Sequence, residues 1–180
     1  MIDPKTIIDK YYPPGEPLSV LLWEHGGRVR DKALVVAKRI GEPGLDLAFI
    51  AEAALLHDIG IFQTDAPRIH CRGEKPYVCH GIIGREILEG HALPRHALVC
   101  ERHVGTGLTV EEIEQRRLPL PLRDMTPQSL EEIIICYADK FFSKSNGNRE
   151  LSLEEVLQQV RRYGPQKVEI FMAWHRRFGA

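Results

Sequence analysis

Apolar residues in this chain recur at the spacing of helices and almost never at that of strands. From Leu18 to Ile40 they fall at Leu18, Leu22, Val29, Ala33, Val36 and Ile40, the stripe of one amphipathic helix. His25 lies on that stripe, between Leu22 and Val29. The adjacent Gly26-Gly27 costs a helix roughly 1 kcal/mol per glycine against Ala, so it implies either close packing on a neighbour or a local break. Gly44 to His57 is nearly all apolar and reads as a helix buried on every side, with Gly60 as a stop after it. Residues 65–76 carry proline, glycine and charge and read as a loop. Helical patterns return at Tyr77–Leu88 and from Pro94 to about His103. Thr109/Glu112, Ser129/Glu132 and Ser152/Glu155 each have the spacing of a capping box, and Pro165 opens a last helix. Leu118–Pro127, with three prolines, should be ordered loop. The expectation is an all-α domain of about eight helices.

Composition removes several function classes. The chain has 180 residues, 43% hydrophobic and 27% charged, which is too apolar for a disordered chain. Its longest apolar run, Ile133 to Ala138, is far short of a membrane span. The N-terminus shows no signal-peptide pattern, so Cys71, Cys79, Cys100 and Cys136 are expected as reduced thiols in a cytoplasmic protein. A net charge of −1 argues against a general nucleic-acid binder. The Gly73–Cys79 stretch looks like a zinc-finger linker. However, no second cysteine follows Cys79 within four residues, as a finger would require.

The chemistry sits in histidines and aspartates placed where apolar residues should be. His57-Asp58-Ile59-Gly60 sits where a buried helix stops. Asp139 lies inside the most apolar helix, between Ala138 and Phe141, and His25 lies on the stripe of a third. Burying such groups without partners is costly. Local hydrogen bonds would solve the problem for the dipeptide alone. Four metal-competent groups on three separate buried helices point instead to a shared cation.

The series His25, His57-Asp58, Asp139 resembles the HD superfamily of metal-dependent phosphohydrolases, over roughly residues 18–145. The resemblance implies an HD-domain helical bundle: one domain over 1–180, a core at about 18–145 and C-terminal helices 150–178 packed on it. His80, opening His-Gly-Ile-Ile-Gly, and His103, opening His-Val-Gly-Thr-Gly, look like the two further ligands of binuclear members. Symmetrical diadenosine tetraphosphate hydrolases and HD-GYP phosphodiesterases have similar arrangements, although the Gly-Tyr-Pro motif is absent here. By resemblance, His25, His57, Asp58 and Asp139 would hold one metal and His80 and His103 the second. Asp58 would be the bridge, and His57 and Asp58 the catalytic pair. The ligand mixture suits two divalent transition-metal ions, iron or manganese ahead of nickel, cobalt or zinc.

Many relatives carry Lys or Arg after His-Asp-Ile-Gly; here Ile61 stands there. The phosphate contact is therefore expected from Lys140, Lys144, Arg28 or the 65–76 loop. Glu101 is a candidate for proton transfer or for supporting the ligands. His70, His91, His96 and His175 are expected in surface or loop roles. The implied activity is hydrolysis of a phosphate ester or anhydride of a nucleotide or another small phosphorylated metabolite, by a metal-activated bridging water. Alternatives are a nucleotide-sensing module without turnover and a di-iron oxygenase. A homodimer is compatible with the sequence, and no membrane partner is expected. The loops at 61–76 and 105–127 should shape the pocket.

Overall fold

The long stripe becomes α2, Pro17–Ile40, opened by Pro17 and closed by Gly41 in the left-handed conformation (φ 61°). The helix is continuous through Gly26-Gly27, so the pair marks no break, and close packing accounts for Gly26 alone. A Cβ on Gly26 would lie 3.0 Å from the Leu55 carbonyl oxygen, whereas one on Gly27 would meet nothing. The computed structural model describes residues 2–179. Among them are nine α-helices, one more than expected. The extra one is the short α1, Pro4–Ile8, capped by the Asp3 side chain.

The apolar segment before His57 forms α3, Leu47–Leu56, which packs on α2. His80–Gly90 (α4) lies against Pro94–Arg102 (α5), with Gly81 and Gly84 letting the two backbones approach closely. Val110–Gln115 is α6, with the expected capping box between Thr109 and Glu112. Leu130–Asp139 (α7) packs on α2. Its start departs from the expected box: Ser129 caps Glu132, but the Glu132 carboxylate turns to the Gln128 N–H and to Arg102. A nearby guanidinium outcompetes the local backbone donor for that carboxylate. Leu153–Arg161 (α8) carries the full Ser152/Glu155 box, and Pro165–Phe178 is α9.

Within the expected 65–76 loop, Asp65–Ala66 (β1) and Cys71–Arg72 (β2) pair as an antiparallel two-residue ladder around a 3-10 turn. Strands this short leave no alternation to read. Three apolar clusters lie among the described residues, the smallest being Leu108, Ile113 and Met125 around α6. The largest joins α2, α3 and α7 to α8 and α9 through Ile134, Tyr137, Phe171 and Phe178. The second gathers α1, Leu22, Leu56, Ile59, Ile61, Leu88 and Cys100. Along α2, Leu22 belongs to the second cluster and Val29 to the first, with His25 between them. Ile61, which takes the place of the basic residue, is itself fully buried core. Among the described residues no helix is long and apolar enough to cross a membrane.

Candidate metal centre

Local backbone geometry aims three of the four histidines. His57 and His103 are the C-terminal caps of α3 and α5, and His80 begins α4 after a 3-10 turn. In each, Nδ1 lies against the carbonyl three residues earlier: His57 on Ala54 (2.7 Å), His80 on Tyr77 (2.5 Å) and His103 on Cys100 (2.7 Å). The fourth, His25, has its Nδ1 3.2 Å from Asn148 Oδ1. Carbonyl oxygens only accept, so each Nδ1 carries a proton and each ring turns its Nε2 inward.

The inward atoms converge. His25 Nε2 lies 3.0 Å from Asp139 Oδ1 and 3.3 Å from Asp58 Oδ2. His57 Nε2 lies 3.1 Å from Asp58 Oδ2 and 3.4 Å from Asp139 Oδ1. On the other side of Asp58, Oδ1 is 3.5 Å from His80 Nε2 and 3.4 Å from His103 Nε2. The last two nitrogens face each other at 3.1 Å. The six side chains form two overlapping sets whose ligand atoms lie within 4.8 Å of one another: His25, His57, Asp58 and Asp139, then Asp58, His80 and His103. Asp58 belongs to both.

The donor set fits divalent cations on two observations. His57 Nε2 and Asp58 Oδ1 are buried and lack a hydrogen-bond partner, an expensive condition for polar atoms in a core. The lone pairs of neutral His80 and His103 point at each other, which a shared cation relieves. The mixture of imidazole and carboxylate is the one borderline transition metals favour.

Electrostatics divides the histidines. Burial and the neighbouring His103 push His80 down to about 3, so it is neutral at physiological pH. Burial likewise lowers His103. At His57 burial pulls downward, but the Asp58 and Asp139 carboxylates prevail and lift it to about 9. A proton and a metal therefore compete for that nitrogen. Burial would raise Asp58, yet Lys144 and His57 outweigh it and hold the carboxyl well below 3.8. Asp139 is held down in the same way, chiefly by Lys140.

Both lysines reach the site. Lys144 Nζ lies 2.5 Å from Asp58 Oδ2 and 3.2 Å from His25 Nε2, and Lys140 Nζ lies 2.7 Å from Asp139 Oδ2. Arg28 does not: it is exposed on α2 and does not line the cavity beside the cluster. It precedes the buried Val29 by one residue, about 100° round the helix, which turns it off the buried stripe. Glu101 is buried but clamped by Arg85 and Arg123, which take both its oxygens. Two guanidinium partners hold it more strongly than the site does. His96, expected at the surface or in a loop, is buried within α5 beside Glu52.

A cavity of about 520 Å³ opens from the cluster. His80, His103, Asp139, Lys140 and Lys144 line it, as do Arg68 and residues 104–108 from the expected loops. Helices α8 and α9 also supply wall, through Gln159, Val160 and Lys167. Sequence reasoning missed those helices, together with Tyr77, whose ring lies 4.6 Å from that of His80, Thr106 and Asn148. The glycines flanking Thr106, both with positive φ, were its available signal.

The HD domain family model matches residues 22–143. The tRNA (cytidine(56)-2'-O)-methyltransferase of Thermoplasma volcanium is 29% identical over 163 residues, covering 90% of this chain and 42% of that protein. Uncharacterized protein MJ0778 of Methanocaldococcus jannaschii is 32% identical over 139 residues, covering 76% of this chain and 73% of that one. This chain thus spans less than half the length of the methyltransferase it matches. Among solved structures, the HD domain of the L. monocytogenes phosphodiesterase PgpH superposes with a TM-score of 0.55 at 16% identity, covering 97% of this chain and 95% of that one. The same domain in complex with cyclic-di-AMP gives 0.54. At that identity the likeness concerns the fold.

Proposed function

The chain belongs to the HD domain family, and on that premise we propose that it is a metal-dependent phosphohydrolase acting on a nucleotide or another small phosphorylated metabolite. The observation that carries this reading is the convergence of four inward Nε2 atoms on two buried carboxylates, with Asp58 common to both sets. His25, His57, Asp58 and Asp139 would hold one divalent ion, and Asp58, His80 and His103 a second. Bound there, such ions supply Lewis acidity to a water and to the phosphoryl group under attack.

The chain's own residues do the rest. The Nδ1 contacts of the histidines fix each ring and its tautomer before any ligand arrives. Lys140 and Lys144 border the cavity at the cluster and offer ammonium groups to phosphoryl oxygens. They supply the positive charge that Ile61 cannot. Neither lysine has a free ammonium, since each also balances an aspartate, so a bound phosphate shares these cations with the ligand set. The fully buried floor of His25, His57 and Asp58 keeps bulk water from the reacting groups. Methyl transfer, named in two relatives, is not carried over, because this chain spans only 42% and 29% of them.

The test is metal analysis of the purified protein with a screen of phosphomonoesters, phosphodiesters and nucleotides, each with Mn, Fe, Co or Ni added. Metal-dependent release of phosphate or nucleotide is expected, and Asp58→Asn should abolish it while lowering metal content at both sites. A protein that binds no metal and turns over none of these compounds overturns the reading.

A further inference from the structure

Three observations mark a part of the cavity that the metal cluster does not use. First, Thr106 is 4% exposed, its Oγ1 has no hydrogen-bond partner, and it lines the cavity. A buried hydroxyl in that condition costs stability unless a ligand satisfies it. Second, Tyr163, 53% exposed, lies under the Arg116 guanidinium, 5.7 Å from ring centroid to guanidinium carbon, and both line the same cavity. Third, among the described residues Arg68 and Arg116 make no ion pair, unlike the cavity's three lysines. The wall bearing Tyr163 comes from the turn after α8, beyond residues 22–143 that match the family.

We propose that this wall is a nucleoside subsite, in which a purine or pyrimidine base stacks on Tyr163 and Thr106 Oγ1 hydrogen-bonds a sugar hydroxyl. The inference deepens the phosphohydrolase reading by naming a nucleotide as the substrate class. Tyr163 and Arg116 present two planar π-faced groups, and a flat base stacks on either. Tyr163 brings a rigid ring with little entropy to lose on binding. The cavity also has the volume of a small-molecule site rather than of a phosphate alone. The polar group at its centre is held in place: Thr106 follows His103 by three residues, and Lys167 donates to the Gly107 carbonyl (2.7 Å), pinning the far end of the loop. A sugar held by Thr106 would therefore lie between the metal ligands and the aromatic wall.

The experiment titrates the metal-loaded full chain with adenosine, guanosine, cytidine and uridine, with ribose as the control, by calorimetry. Nucleosides carry no phosphate, so binding is read without turnover. At least one nucleoside should bind more tightly than ribose. Tyr163→Ala should weaken it about tenfold, in line with base–aromatic stacking, and Tyr163→Phe should restore it. Thr106→Val should weaken the same nucleoside several-fold. No nucleoside binding tighter than ribose, or a Tyr163→Ala variant that binds like the parent, overturns the proposal. Nucleoside binding that responds to both substitutions, in a protein that hydrolyses no phosphoester, upholds the subsite and sinks only the hydrolase reading.

Discussion

Gly60, the last residue of the His-Asp-Ile-Gly run, gives the most demanding test of how the site is held. Its φ is −85°, so any residue could adopt its backbone, and its size alone is in question. A Cβ there would lie 2.3 Å from the His80 carbonyl oxygen and 2.5 Å from the Gly84 backbone nitrogen. Real contacts of this kind essentially never fall below 3.0 Å, so α4 or the 58–60 turn must retreat. Helix α4 has little room, because at Gly81 and Gly84 it already meets α5, with Cys100 filling the gap. Overpacking of a core costs typically 1–3 kcal/mol and more where backbone must move, so Gly60→Ala should cost about 3 kcal/mol. At roughly 2–4 °C per kcal/mol for a chain of this size, its melting temperature should fall by about 6–12 °C. Because the obstructing atom belongs to His80, metal content should fall first at the His80/His103 set. Gly27→Ala is the control: nothing lies within 4 Å of its Cβ, and mid-helix Ala should stabilise by about 0.5–1 kcal/mol. The assays are thermal unfolding by circular dichroism and metal stoichiometry by elemental analysis. A Gly60→Ala protein that melts with its parent and keeps all its metal would refute the reasoning.

Asn148→Gly removes the His25 Nδ1 partner while preserving a positive φ, 53° in the native chain. It should weaken metal affinity about 10- to 100-fold, measured by competition with a chelating dye, and should also lower the melting temperature, because the buried His25 Nδ1–H loses its acceptor. Phe171→Ala empties a fully buried position stacked on Tyr137 at 5.3 Å. A cost of about 3–5 kcal/mol is expected, seen as one lowered unfolding transition if α8 and α9 fold with the rest as one unit and as two transitions if they do not. The Arg149 guanidinium and the Ser152 N–H hold Glu155 down at about 2 from its ordinary 4.5. A depressed carboxyl contributes stability above its unfolded pKa and loses it as pH falls through the folded one. Glu155→Gln should therefore flatten the acid limb of the melting curve between pH 4.5 and about 2.

His57, His80 and His103 show why so much of the centre was legible in one dimension. Each is aimed by a carbonyl three residues before it, a contact that neighbouring sequence and a helix end supply on their own. The apolar stripes around His25 and Asp139 likewise marked both as buried before any fold was known, because 3.6-residue periodicity is a property of the local chain. The capping boxes at Thr109 and Ser152 formed as written, being contacts within four residues. The Ser129 box did not close, because Arg102, 30 residues from Glu132, took its carboxylate.

That failure defines the boundary. By itself the sequence determined the helices, their buried faces and the side chains turned inward, since these depend on interactions within a turn or two. Tertiary structure alone decided what those side chains meet. It brought Lys144 to Asp58 across 86 residues and Asn148 to His25 across 123, left Arg28 in solvent and clamped Glu101 between two arginines. It also closed the cavity with Tyr163 from the turn after α8 and Lys167 from α9. Charged partners are chosen by packing of the whole bundle, which places groups distant in sequence within a few ångströms and leaves no periodic trace of having done so.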